Sequence, residues 1–123
     1  MAVVELNEQT FEQTITDNPF VIVDFWATWC GPCRSFAPVY EKVSNDHEDI
    51  VFAKVNTEEA QGIAAHFQIR SIPSLMIFRD QVIILPPTPG ALPESTLREL
   101  ITKAKEFDMD QVRADIAKQQ GSA

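Results

Sequence analysis

The run F-V-I-V-D-F-W-A-T-W-C-G-P-C-R, Phe20 to Arg34, passes from an almost unbroken apolar stretch into two cysteines three residues apart. Phe20 to Ala27 lacks the alternation of a half-buried strand, so it predicts a central strand covered on both faces. A helical pattern follows from about Cys33 to Asn45. Its apolar stripe is Phe36, Val39, Tyr40 and Val43, and Pro38 is expected to bend it. The cysteines therefore stand where a buried strand gives way to a helix start.

Working outward, residues 2 to 6 read as a short strand. Asn7 can cap a helix carrying Phe11 and Ile15, which Asn18-Pro19 ends. Beyond the cysteines the pattern gives a strand over Ile50 to Asn56, a helix over Glu58 to Phe67, and strands over Ser74 to Phe78 and Val82 to Leu85. A helix from about Pro93 to Phe107 then presents Leu97, Leu100, Ile101 and Ala104, with Pro93 acceptable at its start. The order βαβαβαββα predicts an α/β fold with a mixed sheet and helices on both faces, parallel where helices cross over and antiparallel at the last hairpin. Asp108 can cap an extra C-terminal helix through Met109, Val112 and Ile116 before Gly121 to Ala123 fray. The expected division is one domain, 1–107, with 108–123 as its helical extension.

The chain of 123 residues fits one domain, and 45% hydrophobic with 23% charged residues is ordinary globular composition. A net charge of −8, with no Lys/Arg cluster, argues against nucleic acid and anionic membrane as partners. The first residues, M-A-V-V-E-L-N-E-Q-T, lack the basic start and apolar run of a secretory signal, and no apolar stretch reaches spanning length. The expectation is a soluble, cytoplasmic protein.

Three uses of Cys30 and Cys33 compete. A zinc clamp needs more ligands in suitable spacing than these two thiols with His47 and His66 supply. A disulfide closing so short a loop constrains the unfolded chain very little, so a structural staple has small effect. A reactive pair has a physical basis. At a helix start, unpaired backbone N–H groups and the helix dipole favour the Cys30 thiolate, which is the attacking species in disulfide exchange. Cys33, one turn on, lies on the same face and can resolve a mixed disulfide. Gly31 leaves room beside the sulfur and Pro32 stiffens the bridge. Asp24 interrupts an apolar strand, where an unpaired carboxylate is costly and holds its proton more tightly. Trp26 reads as packing and support.

W-C-G-P-C preceded by V-D-F-W-A resembles the active-site strand and turn of the thioredoxin family. Lys54-Val55-Asn56 is similar to the family's third-strand segment, Ile69 to Ser74 to its segment before the cis-proline, and Gly90-Ala91-Leu92 to its later glycine site; the similarity covers about residues 3 to 107. The resemblance implies a thioredoxin fold and a protein-disulfide reductase working through the redox-active Cys30–Cys33 pair. It further implies Asp24 in proton transfer with Cys33, Lys54 as the partner tuning Asp24, and a substrate groove of Trp29, Gly31, Pro32, Ile72, Pro73 and Gly90. By the same resemblance no cofactor is bound, reducing equivalents come from NADPH through thioredoxin reductase, and the partners are that reductase and disulfide-containing proteins, in electron transport for cell redox homeostasis. A monomer is the default for such a carrier. A histidine between the cysteines would favour oxidation or isomerisation, so Gly31-Pro32 points to a reductant. A binding subunit or chaperone-like partner stays open as a second class.

Three features depart from the family's pattern. Asp80-Gln81 stands where the hairpin usually turns through Asn-Gly, leaving the turn without glycine's tolerance of positive φ. Leu85-Pro86-Pro87-Thr88-Pro89 adds a residue before Gly90 and should stop the last strand early. Residues 108–123 extend past the family's closing helix.

Overall fold

A computed structural model describes residues 3–121. Its elements are β1 (Val3–Leu6), α1 (Phe11–Asp17), β2 (Phe20–Trp26), α2 (Gly31–Ser44), β3 (Val51–Asn56), α3 (Gln61–His66), β4 (Ser74–Arg79), β5 (Val82–Pro89), α4 (Glu94–Lys105) and α5 (Met109–Gly121). The sheet order is β1-β3-β2-β4-β5. β2 is the middle strand, and its Val21, Ile22, Val23 and Phe25 are wholly buried. Each contributes roughly 1.5–3 kcal/mol of apolar burial.

Alternation along β2 divides the core into two layers. Phe20 and Ile22 meet Phe36, Tyr40 and Val43 of α2 and Leu97 and Ile101 of α4. Val21, Val23 and Phe25 face the other way, toward Phe11 and Ile15 of α1 and Ile63 of α3. Tyr40 joins the layers' frame: its hydroxyl lies 3.0 Å from Ile22 O and 2.8 Å from Ala53 O, so one proton is shared between β2 and β3.

Several expected boundaries move. α2 begins at Gly31, with Cys30 as its N-cap, and continues through Pro38 to Ser44. α3 covers only Gln61–His66, because Asn56 Oδ1 accepts the Glu58 N–H at 2.9 Å and holds the preceding residues in a turn. The N-cap of α1 is Thr10 and not Asn7, whose Oδ1 accepts from the N–H groups of Gln9 and Thr10 in the turn ahead of the helix. Asp108 Oδ1 likewise accepts the Gln111 N–H at 3.2 Å at the start of α5. The helix extends to Gly121, where the sequence predicts fraying; residues 122 and 123 of that expectation, and residue 2 of the first strand, lie outside the described residues.

Strand direction corrects one expectation. β3 is parallel to β1 and β2, but β4 returns antiparallel to β2 despite the helix between β3 and β4. α3 fills only six of the seventeen residues between β3 and β4, and the segment 67–73 after it returns to the end of the sheet where β3 stops, Ser74 lying opposite Phe25.

β5 corrects another, continuing through Pro86, Pro87 and Pro89 and not stopping at Leu85. It has only β4 as a neighbour, and an edge strand tolerates missing donors. Two register shifts, between Leu75 and Ile77 and between Ile77 and Phe78, absorb its extra residues as bulges. At the hairpin, Asp80 and Gln81 both take positive φ, 51° and 68°, without glycine. Asp80 N donates to Pro19 O at 2.8 Å, and its carboxylate receives Arg113 Nη1 of α5 at 2.6 Å. The C-terminal helix thus secures the turn.

Candidate active site

β2 delivers the chain to the site. After Trp26, Cys30 N donates to Ala27 O at 3.2 Å, closing a turn that sets Cys30 at the mouth of α2. Cys30 and Cys33 form a disulfide with Cα atoms 5.2 Å apart. Cys30 Sγ also accepts the Cys33 N–H at 3.2 Å, so the sulfur itself fills the capping position. A negative charge on it gains from that donor and from the positive end of a 14-residue helix. Both sulfurs are buried among Ala27, Trp26 and Ile72, while neighbouring Trp29 is 66% exposed.

Of the other expected groove residues, Ile72 reaches the sulfurs directly. Ile72-Pro73 is a cis peptide, and Ile72 O lies 3.7 Å from Cys30 Sγ. Gly90 N donates to Pro73 O at 2.9 Å, and a Cβ on Gly90 would come within 2.9 Å of the Leu75 side chain, so only glycine lets the two segments approach. Beside Gly31 an added Cβ would meet nothing within 4 Å, which leaves that flank of the disulfide open. Pro32 follows it in the first turn of α2, exposed. Ile72 thus touches the sulfurs, Gly90 backs Pro73, and Trp29, Gly31 and Pro32 adjoin the cysteines along the chain.

Asp24 and Lys54 are brought together by register, directly opposite each other on β2 and β3. Asp24 is 3% exposed, and its Oδ1 has no hydrogen-bond partner among the described residues. Loss of hydration pushes its carboxyl up to about 8; Lys54 opposes this shift and Glu5 adds to it. Alternation puts Asp24 with Ile22 on the α2 face of the sheet, and it lines a cavity with Ala37, one helical turn beyond Cys33. Lys54 Nζ sits 4.9 Å from the centre of the Trp26 ring, a cation–π contact.

Two long-range partners escape a reading of the sequence alone, one at the site and one at the far end of β2. Glu5 Oε2 accepts Trp26 Nε1–H at 3.3 Å, and Glu5 lies opposite Lys54 on β3's other side. Only its place in an otherwise apolar strand hints at it. Arg79 donates from Nη1 to Ala104 O at 3.0 Å, with Lys105 O and Phe107 O at 3.4 and 3.3 Å, and closes the end of α4. Among the described residues no group of three or more His, Cys, Asp or Glu could hold a metal ion. No helix among them is long and apolar enough to cross a membrane.

A cysteine pair at a helix start beside a cis-proline, on a mixed sheet covered on both faces, defines a thiol–disulfide oxidoreductase. The thioredoxin family model matches residues 2–103, and the chain belongs to the thioredoxin family. It is 52% identical to the Streptomyces coelicolor protein named "Putative thioredoxin 2" over 98% of this chain and 89% of that one. It is 41% identical to thioredoxin 1 of Nostoc sp., over 83% of this chain and 96% of the relative. Among solved structures, a mutant thioredoxin from Halobacterium salinarum superimposes with a TM-score of 0.76 at 31% identity, covering 85% of this chain and 92% of that one. The chain is a protein-disulfide reductase acting through Cys30 and Cys33.

Proposed function

We propose that Cys30 is the attacking thiolate and Cys33 the resolving thiol. The observation that carries this order is the capping role of Cys30 Sγ, which receives the Cys33 N–H at the mouth of α2. Cys30 thiolate attacks one sulfur of a substrate disulfide, forming a mixed disulfide and releasing the substrate's other sulfur as a thiolate. Cys33 gives its proton to the Asp24 carboxylate and attacks Cys30 Sγ; the Cys30–Cys33 bond forms and the second substrate sulfur leaves. Two electrons have passed to the substrate, and each departing thiolate takes up a proton. Lys54 moderates the proton affinity of Asp24.

The substrate lies as an extended segment against Trp29, Gly31, Pro32, Ile72 and Pro73, with the Ile72 backbone as its pairing edge and Gly90 holding the loop behind it. Reducing equivalents come from NADPH through thioredoxin reductase, and no cofactor is bound by this chain. The partners are that reductase and disulfide-bearing proteins, in cytoplasmic electron transport for redox homeostasis, with the protein as a monomer. Residues 1–107 form the working domain and 108–123 its helical extension; buried Met109 supports the assignment.

The test combines trapping with a potential. Cys33→Ser mixed with a protein disulfide should accumulate a mixed disulfide on Cys30, whereas Cys30→Ser should form none and lose all reductase turnover. The wild-type couple, equilibrated against dithiothreitol ratios, should lie below about −260 mV. A value near about −180 mV, typical of disulfide isomerases, would overturn the reductant reading.

A further inference from the structure

Three neighbouring parallel strands set Glu5, Lys54 and Asp24 in one row across the sheet, Lys54 being opposite Glu5 on one side and opposite Asp24 on the other. The alternation that puts Phe52 and Ile22 in the α2 layer puts all three side chains on that same face. They line one cavity of about 310 Å³. Trp26 ties the row together: its indole N–H donates to Glu5 Oε2 and its ring receives Lys54 Nζ. One lysine thus stands between two carboxylates, one buried and one exposed.

We propose that Glu5 is a positioning residue of the disulfide-exchange reaction: its carboxylate anchors Trp26, competes with Asp24 for Lys54, and so governs how readily Asp24 exchanges a proton with Cys33. The inference rests on the assignment of Asp24 made above. Lys54 cannot neutralise both acids fully, and Glu5 acts on Asp24 directly across two strand spacings, about 10 Å. Partial loss of hydration raises the proton affinity of the Glu5 carboxyl, while the hydrogen bond from Trp26 and the charge of Lys54 oppose this. The charged and titratable groups facing the row are Glu5 on β1, Lys54 on β3, Asp24 on β2, Tyr40 and Glu41 on α2, and Glu59 ahead of α3, which adds negative potential at Glu5. Removing the Glu5 charge leaves Lys54 to Asp24 alone and removes a repulsion. Both changes favour the Asp24 anion.

The experiment is carboxyl ¹³C NMR on the full chain at low ionic strength, with the Asp24 signal identified by its loss in Asp24→Asn. Glu5→Gln retains an acceptor for Trp26 and removes only the charge. It should lower the Asp24 midpoint by roughly half a pH unit, an effect that shrinks as salt is added. The pH profile of dithiothreitol-driven protein-disulfide reduction should move down with it. An unchanged midpoint in Glu5→Gln overturns the proposal. So does a midpoint that moves only in Glu5→Ala, which would make Glu5 a prop for Trp26 and nothing more. If the midpoint moves and the activity profile does not, the Glu5–Asp24 coupling stands and the assignment of Asp24 to proton transfer falls.

Discussion

The two ends of β2 are built to opposite rules. At its C-terminal end, Asp24 is buried with an unpartnered oxygen, two sulfurs sit at a helix start, and a cis-proline loop presses against them. At its N-terminal end, where Phe20 pairs with Arg79, the charge is fully used: the guanidinium reaches three carbonyls near the end of α4 and stacks over the Phe20 ring at 5.1 Å. At one end the charge is partnered. Reactivity arises at the other, where a carboxyl is left without what its charge requires.

The largest effect that would break this contrast belongs to Asp24. Its carboxyl, ordinarily ionising near 3.8, is pushed up to about 8 in the fold. Between those values the folded protein holds a proton that the unfolded chain has released, so stability falls as pH rises through this window and levels off above it. Asp24→Asn should remove most of the fall, leaving the smaller part owed to Glu5. Its stabilisation relative to wild type should be greater at pH 8 than at pH 5 by about 3–4 kcal/mol, read from denaturant midpoints. Equal differences at the two pH values would mean that Asp24 is well solvated and that the two ends do not differ in kind.

Arg79→Ala comes next and tests the partnered end. Losing the charged donor and the ring contact, and leaving carbonyls near the α4 terminus unpaired, should cost about 2–3 kcal/mol with reductase turnover unchanged. A loss of activity at matched folding would show that the ends are coupled.

How much of this is legible in the sequence follows the same division. The β2 run, the cysteine pair and the helical stripes declare themselves because periodicity and residue type are local properties. Asp24 is visible because a carboxylate in an apolar strand is costly wherever it lies. The direction of β4 is not, since it depends on the path of the connection 57–73 and not on the strand's own pattern. The length of β5 is hidden because proline is excluded from a central strand but admissible on an edge, and sheet order is not written in either strand. Glu5 acts on Trp26 and Lys54, 21 and 49 positions away, and Arg79 on Ala104 and Phe107, 25 and 28 positions away, contacts that exist only once register is fixed. The conflict at the hairpin is legible in Asp80-Gln81 itself, but its resolution lies in Arg113, far along the chain.

The smallest effect sharpens that last point. Gln81 holds φ of 68° with a side chain. Gln81→Gly should raise stability by roughly 0.5–1 kcal/mol, the relief of left-handed strain less the entropy glycine adds to the unfolded chain, visible as a modest rise in thermal midpoint. A decrease would mean that the neighbouring contacts of Asp80 already remove the strain.

The Arg113–Asp80 link has a practical meaning for orientation. It moors α5 to the hairpin beside Arg79, which pairs with Phe20 at the start of β2, whereas the disulfide follows the end of that seven-residue strand, about 20 Å away. A surface or cargo coupled through α5 would therefore hold the molecule by its inert pole, with the disulfide end turned away from the attachment.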